Sequence, residues 1–528
     1  MSPSRTLVVF LWLGLLPGDP GRVSAAPPET AGEHAATPAP APVGDAPPVT
    51  EVVPKEPDPI RPAPAMPDKP AEREAWLKAR LDDILGLPSL GAAKLSVAVV
   101  EVDTGRMIYG KNDGALLNPA SNVKIVTTAA ALAQLGPEYR WKTVLLGDAV
   151  KGGVIEGNLY LRGFGDPSLV GEDLWKMASD VAARGVKRIT GDVVVDDTFF
   201  DAERVGPGFE QKQEDAPFRA PSGAVSLNYN ACAVLVLPGK KAGEPARVLV
   251  DPASPYFTVV NEATTVASGR TGLEVQTREA EGHTEIHVSG TVRAGESGHT
   301  ERRRIAHPDL YAGYTLRELL GRRGIQVAGK VLTGPAPVGA RTLATHYSQP
   351  LGVLVRDVNK SSNNFMAEQV LKTLGAELGG KPGTWAKGVE GVGRFLETLG
   401  VGKSAYKMTN GSGLYDSNRF SAAQIVAILR SAYRDFRFAA DFVGSLALAG
   451  ADGTIGHRMA GSPAERYVRA KTGTLQGISC LSGYAGAPGR LPLAFSILMN
   501  DLGDAGTHEA RRAQDAIAET LVQYLMAR

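Results

Sequence analysis

The chain has 528 residues, 43% of them hydrophobic and 21% charged, which is the composition of a globular protein of about two to four domains. Its 57 Lys and Arg residues balance 56 Asp and Glu residues, so the net charge is +1. This balance argues against a nucleic-acid partner, because binding to nucleic acid requires a concentrated basic surface.

The first 25 residues have the pattern of a secretory signal peptide. Arg5 precedes the apolar run Leu7–Leu16, Pro17 ends that run, and Val23–Ala25 supplies small residues for a cleavage site. An apolar run of about ten residues is too short to cross ~30 Å of hydrocarbon as a stable helix. The sequence therefore predicts removal of residues 1–25, no transmembrane anchor, and a periplasmic or other extracytoplasmic location.

A proline-rich segment follows the predicted cleavage site. Residues 27–70 contain 14 of the 36 prolines of the chain. Proline removes backbone donors and favours extended conformations, so this composition does not build a packed core. We predict a disordered linker over residues 26–70.

Regular structure is predicted from about residue 71. An apolar face from Trp76 to Leu85 has helical spacing, and Gly86 ends the helix. Residues 95–109 then have the pattern of a β-hairpin. A helix followed by an antiparallel hairpin favours an α+β fold over a doubly wound parallel sheet.

The middle of the chain has a different texture. Residues 144–304 form short β-rich runs between Gly, Pro and charged residues, with one helix predicted at 173–184. Further helices are predicted at 310–323, 350–375, 385–400 and 508–528. The simplest partition is a catalytic domain of residues 71–143 and 305–528, with a β-rich insertion at 144–304 made of two nested subdomains.

The two cysteines, Cys232 and Cys480, fall in different predicted domains. An extracytoplasmic compartment permits a disulfide. Their separation nevertheless favours two buried thiols, and the disulfide stays the alternative. Two cysteines with scattered histidines make no metal-ligand spacing, so no metal site is predicted.

Pro119–Lys124 contains a Ser-x-x-Lys motif at the start of a predicted helix. Spacing of i, i+3 places the Ser121 hydroxyl and the Lys124 amine on one helix face, one turn apart. A serine needs a neighbouring base to act as a nucleophile, and a lysine that is partly neutral can be that base. Alone, the motif is common by chance and also fits a helix start with a surface lysine.

A second polar cluster occurs in Lys360–Glu368. Ser362 and Asn364 form a Ser-x-Asn triplet, which can pass protons and hold a substrate amide, but Ser361 and Asn363 form the same triplet one residue earlier. The alternative for either triplet is a polar helix cap.

The third cluster is Lys471-Thr472-Gly473-Thr474. Lys471 can attract a substrate carboxylate, Thr472 can hydrogen-bond to it, and Gly473 allows the backbone of a strand to approach a ligand closely. The alternative is an exposed strand that carries charges.

The three motifs together are the set shared by penicillin-binding proteins and serine β-lactamases. From about residue 73 to the C-terminus the chain resembles the D-alanyl-D-alanine carboxypeptidase/endopeptidases, low-molecular-mass penicillin-binding proteins with a large insertion after the Ser-x-x-Lys helix. The separation of Ser121 from Ser362 fits that insertion. Other segments that resemble the family are Gly163–Leu169, Ser226–Asn230, Asn410–Gly413, Asn418-Arg419, Asp452–Thr454 and Lys471–Leu475.

The resemblance implies a β-lactamase/transpeptidase-like α+β domain and a serine hydrolase that needs no cofactor. It implies Ser121 as nucleophile, Lys124 as base and Ser362 as proton donor, and it favours Ser362 and Asn364 over the earlier triplet. It further implies stem peptides or cross-links of peptidoglycan as substrates and β-lactams as covalent inhibitors. The substrate-binding residues that it implies are Asn364, Lys471, Thr472, Gly473 and Thr474.

Other functions stay open at this point. A serine β-lactamase or esterase shares the motifs but does not need the long insertion, and a non-catalytic wall-binding protein does not need all three motifs intact. A Ser-His-Asp hydrolase is disfavoured because the chain has no Gly-x-Ser-x-Gly elbow. The histidines outside the predicted insertion better suit surface or packing roles: His307, His346, His457 and His508.

Overall fold

A computed structural model describes residues 59–503 and 506–527. The predicted signal peptide and residues 26–58 of the predicted linker lie outside the described residues. Within the described ranges there are ten α-helices: α1 Pro70–Leu85, α2 Val123–Leu135, α3 Gly171–Ala183, α4 Pro308–Arg322, α5 Leu351–Lys360, α6 Asn364–Gly379, α7 Trp385–Thr398, α8 Ala422–Arg434, α9 Ala439–Ser445 and α10 Gly506–Ala527.

The same ranges contain twenty-two strands, which fall into five sheets. They are β1 Lys94–Glu101, β2 Met107–Lys111, β3 Lys142–Gly147, β4 Val150–Lys151, β5 Val154–Ile155, β6 Leu159–Gly163, β7 Arg188–Ile189, β8 Val193–Asp196, β9 Ala231–Leu237, β10 Arg247–Asp251, β11 Phe257–Asn261, β12 Thr264–Val266, β13 Gly272–Ala280, β14 His283–Arg293, β15 His299–Arg304, β16 Gln326–Val327, β17 Val331–Thr333, β18 Arg341–Tyr347, β19 Ala447–Leu448, β20 Val468–Leu475, β21 Ile478–Ala487 and β22 Arg490–Asn500.

The largest sheet is antiparallel and joins the two ends of the described chain. Its strand order is β19-β20-β21-β22-β1-β2. Alternate residues of β1 enter different cores: Val97 and Val99 pack with α1 and α10, while Ala98 and Val100 pack with α2 and α8. Burial on both faces explains why β1 is apolar along most of its length instead of alternating with polar residues. The helices therefore flank the sheet on both sides.

The β-rich middle of the chain surrounds an apolar core of its own, to which α3 and α4 contribute. One five-stranded sheet has the order β17-β8-β6-β3-β18, and a four-stranded sheet has the order β16-β7-β5-β4. β3 pairs with β18 in antiparallel register from Lys142↔Tyr347 to Gly147↔Arg341. The strands β16, β17 and β18 follow residue 304 in the chain but pair with strands that precede it. The predicted domain bounds stay a prediction.

The predictions of an α+β fold, of the 95–109 hairpin and of most helices are confirmed. The prediction of one helix over 350–375 is wrong, because α5 ends at Lys360 and α6 begins at Asn364. Ser362 has φ +56°, a left-handed conformation that a continuous helix excludes. The Asn363 side chain accepts a 3.0 Å hydrogen bond from the Met366 N–H and so caps the new helix.

Both cysteines are buried and free, as the sequence favours. Burial raises the pKa of the Cys232 and Cys480 thiols to about 12, so both stay protonated at neutral pH and are poor nucleophiles. Among residues 59–503 and 506–527, every helix is too short or too polar to span a bilayer.

Candidate active site

Ser121 lies in a 3₁₀ turn, Ala120–Asn122, that runs directly into α2, which confirms the predicted helix start. The turn is held on both sides of the serine. The Ala120 N–H donates to Asn118 Oδ1 at 2.9 Å, and Asn122 Nδ2 donates to Ser482 Oγ on β21 at 2.6 Å. Contact with β21 of the six-stranded sheet therefore helps to fix the turn that presents the Ser121 hydroxyl.

Lys124 is buried beneath Ser121, one helical turn along. Its Nζ donates to Ser121 Oγ at 3.0 Å, to Asn364 Oδ1 at 2.7 Å and to the Ser412 carbonyl at 2.7 Å. Burial, together with the nearby Lys471 cation, lowers the pKa of Lys124 well below its ordinary value, and the Glu368 carboxylate opposes the shift. A lysine with a lowered pKa has a neutral fraction that can accept the Ser121 proton.

Ser362 contacts a second buried lysine. The Nζ of Lys471 donates to Ser362 Oγ at 2.8 Å and to the Thr472 carbonyl at 2.8 Å. Burial lowers the pKa of Lys471 to about 7. The hydroxyl of Thr472 donates to Thr454 Oγ1 at 2.8 Å. Lys471 is fully buried, which excludes the alternative of an exposed charged position for this residue.

The two possible Ser-x-Asn triplets occupy different environments. Ser362 and Asn364 face the two buried lysines, whereas Asn363 caps α6 and Ser361 is exposed. The Asn364 amide is already engaged: its oxygen accepts from Lys124, and its nitrogen donates to the Phe218 carbonyl at 3.0 Å. Asn364 therefore contacts the lysine beside Ser121 directly, a contact that the sequence analysis did not expect.

An open cleft of about 690 Å³ gives access to Ser121. Ser121, Asn364 and Thr474 line it, together with residues of the 211–218 and 413–419 loops. Lys124, Lys471 and Gly473 are buried, while Thr474 is exposed to solvent. The site thus combines an accessible hydroxyl with two lysines shielded from water, an arrangement suited to acyl transfer through a serine ester.

A family model for the D-Ala-D-Ala carboxypeptidase 3 (S13) family matches residues 77–523. The chain belongs to this family. It is therefore a serine-type peptidase of the low-molecular-mass penicillin-binding class, as the sequence resemblance predicts.

Individual S13 relatives match most of the chain. The D-alanyl-D-alanine carboxypeptidase of Actinomadura sp. (strain R39) is 36% identical over 478 residues, covering 88% of this chain and 87% of that protein. The D-alanyl-D-alanine carboxypeptidase DacB of Haemophilus influenzae is 25% identical over 388 residues, covering 72% of this chain and 80% of that protein.

A solved structure shares the fold of this S13 chain. The crystal structure of penicillin binding protein 4 (dacB) from H. influenzae matches with a TM-score of 0.73 at 24% identity, covering 83% of this chain and 97% of that one. The predicted fold class, a transpeptidase-like catalytic domain with an inserted domain, is thereby confirmed.

The loop Asn410–Gly413 is a part of the site to which the sequence analysis gave no role. Its Ser412 carbonyl accepts a hydrogen bond from Lys124. Gly413 has φ +78°, and a Cβ there would lie 2.0 Å from the Ala120 carbonyl oxygen. Only glycine fits between the loop and the Ser121 turn. The resemblance of this segment to the S13 family was the available signal, but the contact arises from the fold.

Gly473 also lies close to neighbouring backbone, and that backbone belongs to the protein and not to a ligand. A Cβ at Gly473 would lie 2.6 Å from the Pro119 carbonyl oxygen, whereas one at Gly486 on β21 would meet nothing closer than 3.6 Å. We expect Gly473→Ala to separate β20 from the Ser121 turn, costing about 1–3 kcal/mol of stability and slowing acylation about tenfold or more. Thermal unfolding and penicillin-labelling rates test this, with Gly486→Ala as matched control. Equal behaviour of the two variants would refute the expectation.

Proposed function

We propose that this S13 enzyme hydrolyses the terminal D-alanyl-D-alanine bond of peptidoglycan stem peptides through an acyl-enzyme on Ser121. One observation carries the proposal: a fully buried lysine, Lys124, lies 3.0 Å from a serine hydroxyl that opens onto a cleft. Burial favours the neutral amine, and the distance is that of a nucleophile and its base. The carboxypeptidase names of the relatives agree with this substrate class.

Acylation begins when neutral Lys124 takes the Ser121 proton and Oγ attacks the carbonyl carbon of the penultimate D-Ala. Backbone N–H groups of Ser121 and Thr474 stabilise the oxyanion, and each such donor contributes about 10²–10³ in rate. Ser362, which is hydrogen-bonded to Lys471, relays to the leaving amine the proton that Lys124 has taken as the C–N bond breaks, so Ser362 keeps its hydroxyl and Lys124 is neutral again. Terminal D-Ala departs, and water then hydrolyses the serine ester.

The same chemistry acts on related acyl donors. A cross-link that ends in a D-amino acid presents an equivalent carbonyl, so endopeptidase activity belongs to the proposal. A β-lactam amide also acylates the serine, and its tethered leaving group does not depart. The H. influenzae penicillin binding protein 4 is solved in complex with a β-lactam, and we extend such binding, as a covalent adduct, to this chain.

The proposed substrate lies outside the cytoplasm. The signal-peptide pattern of residues 1–25 therefore agrees with the proposed chemistry. We propose that the enzyme is exported and works in the periplasm or an equivalent wall compartment.

The direct test is an assay of free D-Ala from an acyl-D-Ala-D-Ala peptide, with a cross-linked dimer assayed in parallel. We expect stoichiometric release of D-Ala and loss of that release after one equivalent of benzylpenicillin. Release that is insensitive to saturating benzylpenicillin, or no release from folded enzyme, would contradict the proposal.

Recognition of the terminal carboxylate is expected to depend on pH. Burial lowers the pKa of Lys471 to about 7, so its ammonium is lost as the pH rises through that value. The dissociation constant of an acyl-D-Ala-D-Ala acid should therefore rise by up to about tenfold per pH unit above the Lys471 pKa. Ser121→Ala allows this binding to be measured without turnover. The C-terminal amide of the same peptide is the control, and equal pH profiles for acid and amide would exclude Lys471 as the carboxylate receptor.

A further inference from the structure

Glu368 is a buried carboxylate that has no part in the proposed chemistry. It lies on α6, four residues after Asn364, and its side chain is 2% exposed. Its oxygens accept three hydrogen bonds: from the Gly411 N–H at 3.0 Å, the Ser412 N–H at 2.8 Å and Trp385 Nε1 at 2.8 Å. A buried charge is costly unless donors of this kind surround it, so the arrangement is built around an ionised carboxylate.

Two of the three donors belong to the loop that contacts the base. Glu368 binds the N–H of Ser412, and the carbonyl of Ser412 accepts from Lys124 Nζ at 2.7 Å. A carboxylate on one side of this residue and an amine on the other thus determine where its peptide groups lie. Moving the carboxylate would move the carbonyl that holds Lys124.

The loop has little room to adjust. A Cβ at Gly411 would lie 2.8 Å from the Ala367 carbonyl oxygen on α6, and one at Gly413 would lie 2.0 Å from the Ala120 carbonyl oxygen. The loop is therefore confined between the helix that carries Glu368 and the turn that carries Ser121. A displacement at Glu368 is transmitted to the reacting groups because close-packed backbone has no free volume to absorb it.

The charges around the base come from three elements. Lys124 on α2 interacts electrostatically with the Lys471 cation on β20 and with the Glu368 anion on α6. Further along α6, Lys372 Nζ lies 4.1 Å from the centre of the Trp385 ring and donates to Asp201 Oδ1 at 2.6 Å. The charge of Lys372 is neutralised by its ion pair with Asp201. Glu368 is therefore the carboxylate whose charge acts on Lys124.

We propose that Glu368 is a positioning residue for the general base: it holds the Ser412 carbonyl against Lys124 and supplies a counter-charge for Lys124. This inference rests on the proposed function, in which Lys124 deprotonates Ser121. Glu368 contacts no substrate in this scheme and acts through Lys124.

The test is the pH dependence of acylation by benzylpenicillin in Glu368→Gln. A glutamine removes the charge, and its NH₂ group cannot accept from the loop N–H groups. The acylation rate at its pH plateau is expected to fall about tenfold or more. Loss of the anion also lowers the pKa of Lys124 further, so the acid limb of the profile should move about one pH unit toward lower pH.

The matched control is Glu377→Gln, which removes an exposed carboxylate from the same helix. Its profile should coincide with that of the wild type. An acid limb in Glu368→Gln that stays at the wild-type position would overturn the proposal even if the plateau fell, because a merely structural defect lowers the rate without moving the limb.

A second variant covers the case in which Glu368→Gln does not fold. Glu368→Asp keeps the charge but shortens its reach, so the plateau should fall while the acid limb stays in place. A wild-type plateau in Glu368→Asp would refute the positioning role. Failure of the proposed function is separable, because wild-type enzyme would then show no benzylpenicillin acylation at Ser121 in the same experiment.

Discussion

Replacement of Ser121 by alanine is expected to lower D-Ala release by at least about 10³-fold while leaving the fold intact. The Ser121 oxygen forms the covalent bond to the acyl group. The hydroxyls of Ser362 and Thr472 do not replace it, because each is hydrogen-bonded to another side chain. The fold should survive because Ser121 lines an open cleft and the change removes a single oxygen from its surface. D-Ala release and circular dichroism of the same sample measure both parts of this expectation.

Ser361→Ala is the matched control for the Ser121 variant. Ser361 is an exposed serine one residue before Ser362, at the C-cap position that follows α5. Its activity should stay within about twofold of the wild type, because surface changes away from special features have small effects. Activity in Ser121→Ala above a tenth of the wild-type level, with the fold retained, would show that another group is the nucleophile.

Replacement of Lys124 by arginine is expected to reduce acylation by about 10²–10⁴-fold. Arginine keeps a positive charge and hydrogen-bond donors for the Asn364 oxygen and the Ser412 carbonyl, but it is not deprotonated in proteins. The variant therefore removes the capacity to accept a proton while preserving a cation. The rate constant for benzylpenicillin labelling is the measurement.

Comparison with Lys124→Ala distinguishes the two roles of this lysine, which are to accept a proton and to donate structural hydrogen bonds. The alanine variant should also fail to acylate, and it should lose stability by about 1–3 kcal/mol because the Asn364 oxygen and the buried Ser412 carbonyl lose their donor. Thermal unfolding of both variants separates lost chemistry from lost structure. Labelling of Lys124→Arg at a rate within tenfold of the wild type would remove Lys124 as the general base.

Local patterns in the sequence were enough to predict the elements that carry the site. The Ser121 turn continues into α2, the 95–109 hairpin lies at one edge of the six-stranded sheet, and Lys471 lies on β20 of the same sheet. These features depend on residue spacing and on turn residues, which are local properties. The choice of Ser362 and Asn364 over the earlier Ser-x-Asn triplet followed from family resemblance, not from spacing.

Other features depend on contacts that no local pattern encodes. The break between α5 and α6 exists because Ser362 takes a left-handed conformation and bonds to Lys471, which is 109 residues away. The burial of both lysines, which lowers their pKa values, is produced by packing of separate elements. The three donors of Glu368 likewise come from segments distant in sequence. Strand pairing across the β-rich region, as between β3 and β18, is non-local in the same way.

The most direct test of this account is intact mass spectrometry of the purified protein over time after addition of benzylpenicillin, followed by peptide mapping of any adduct. The account predicts one covalent adduct per chain that persists for minutes and maps to Ser121. An adduct on another residue, or none on folded protein, would contradict it. So would an adduct lost within seconds while hydrolysed drug accumulates, because that behaviour is that of a β-lactamase.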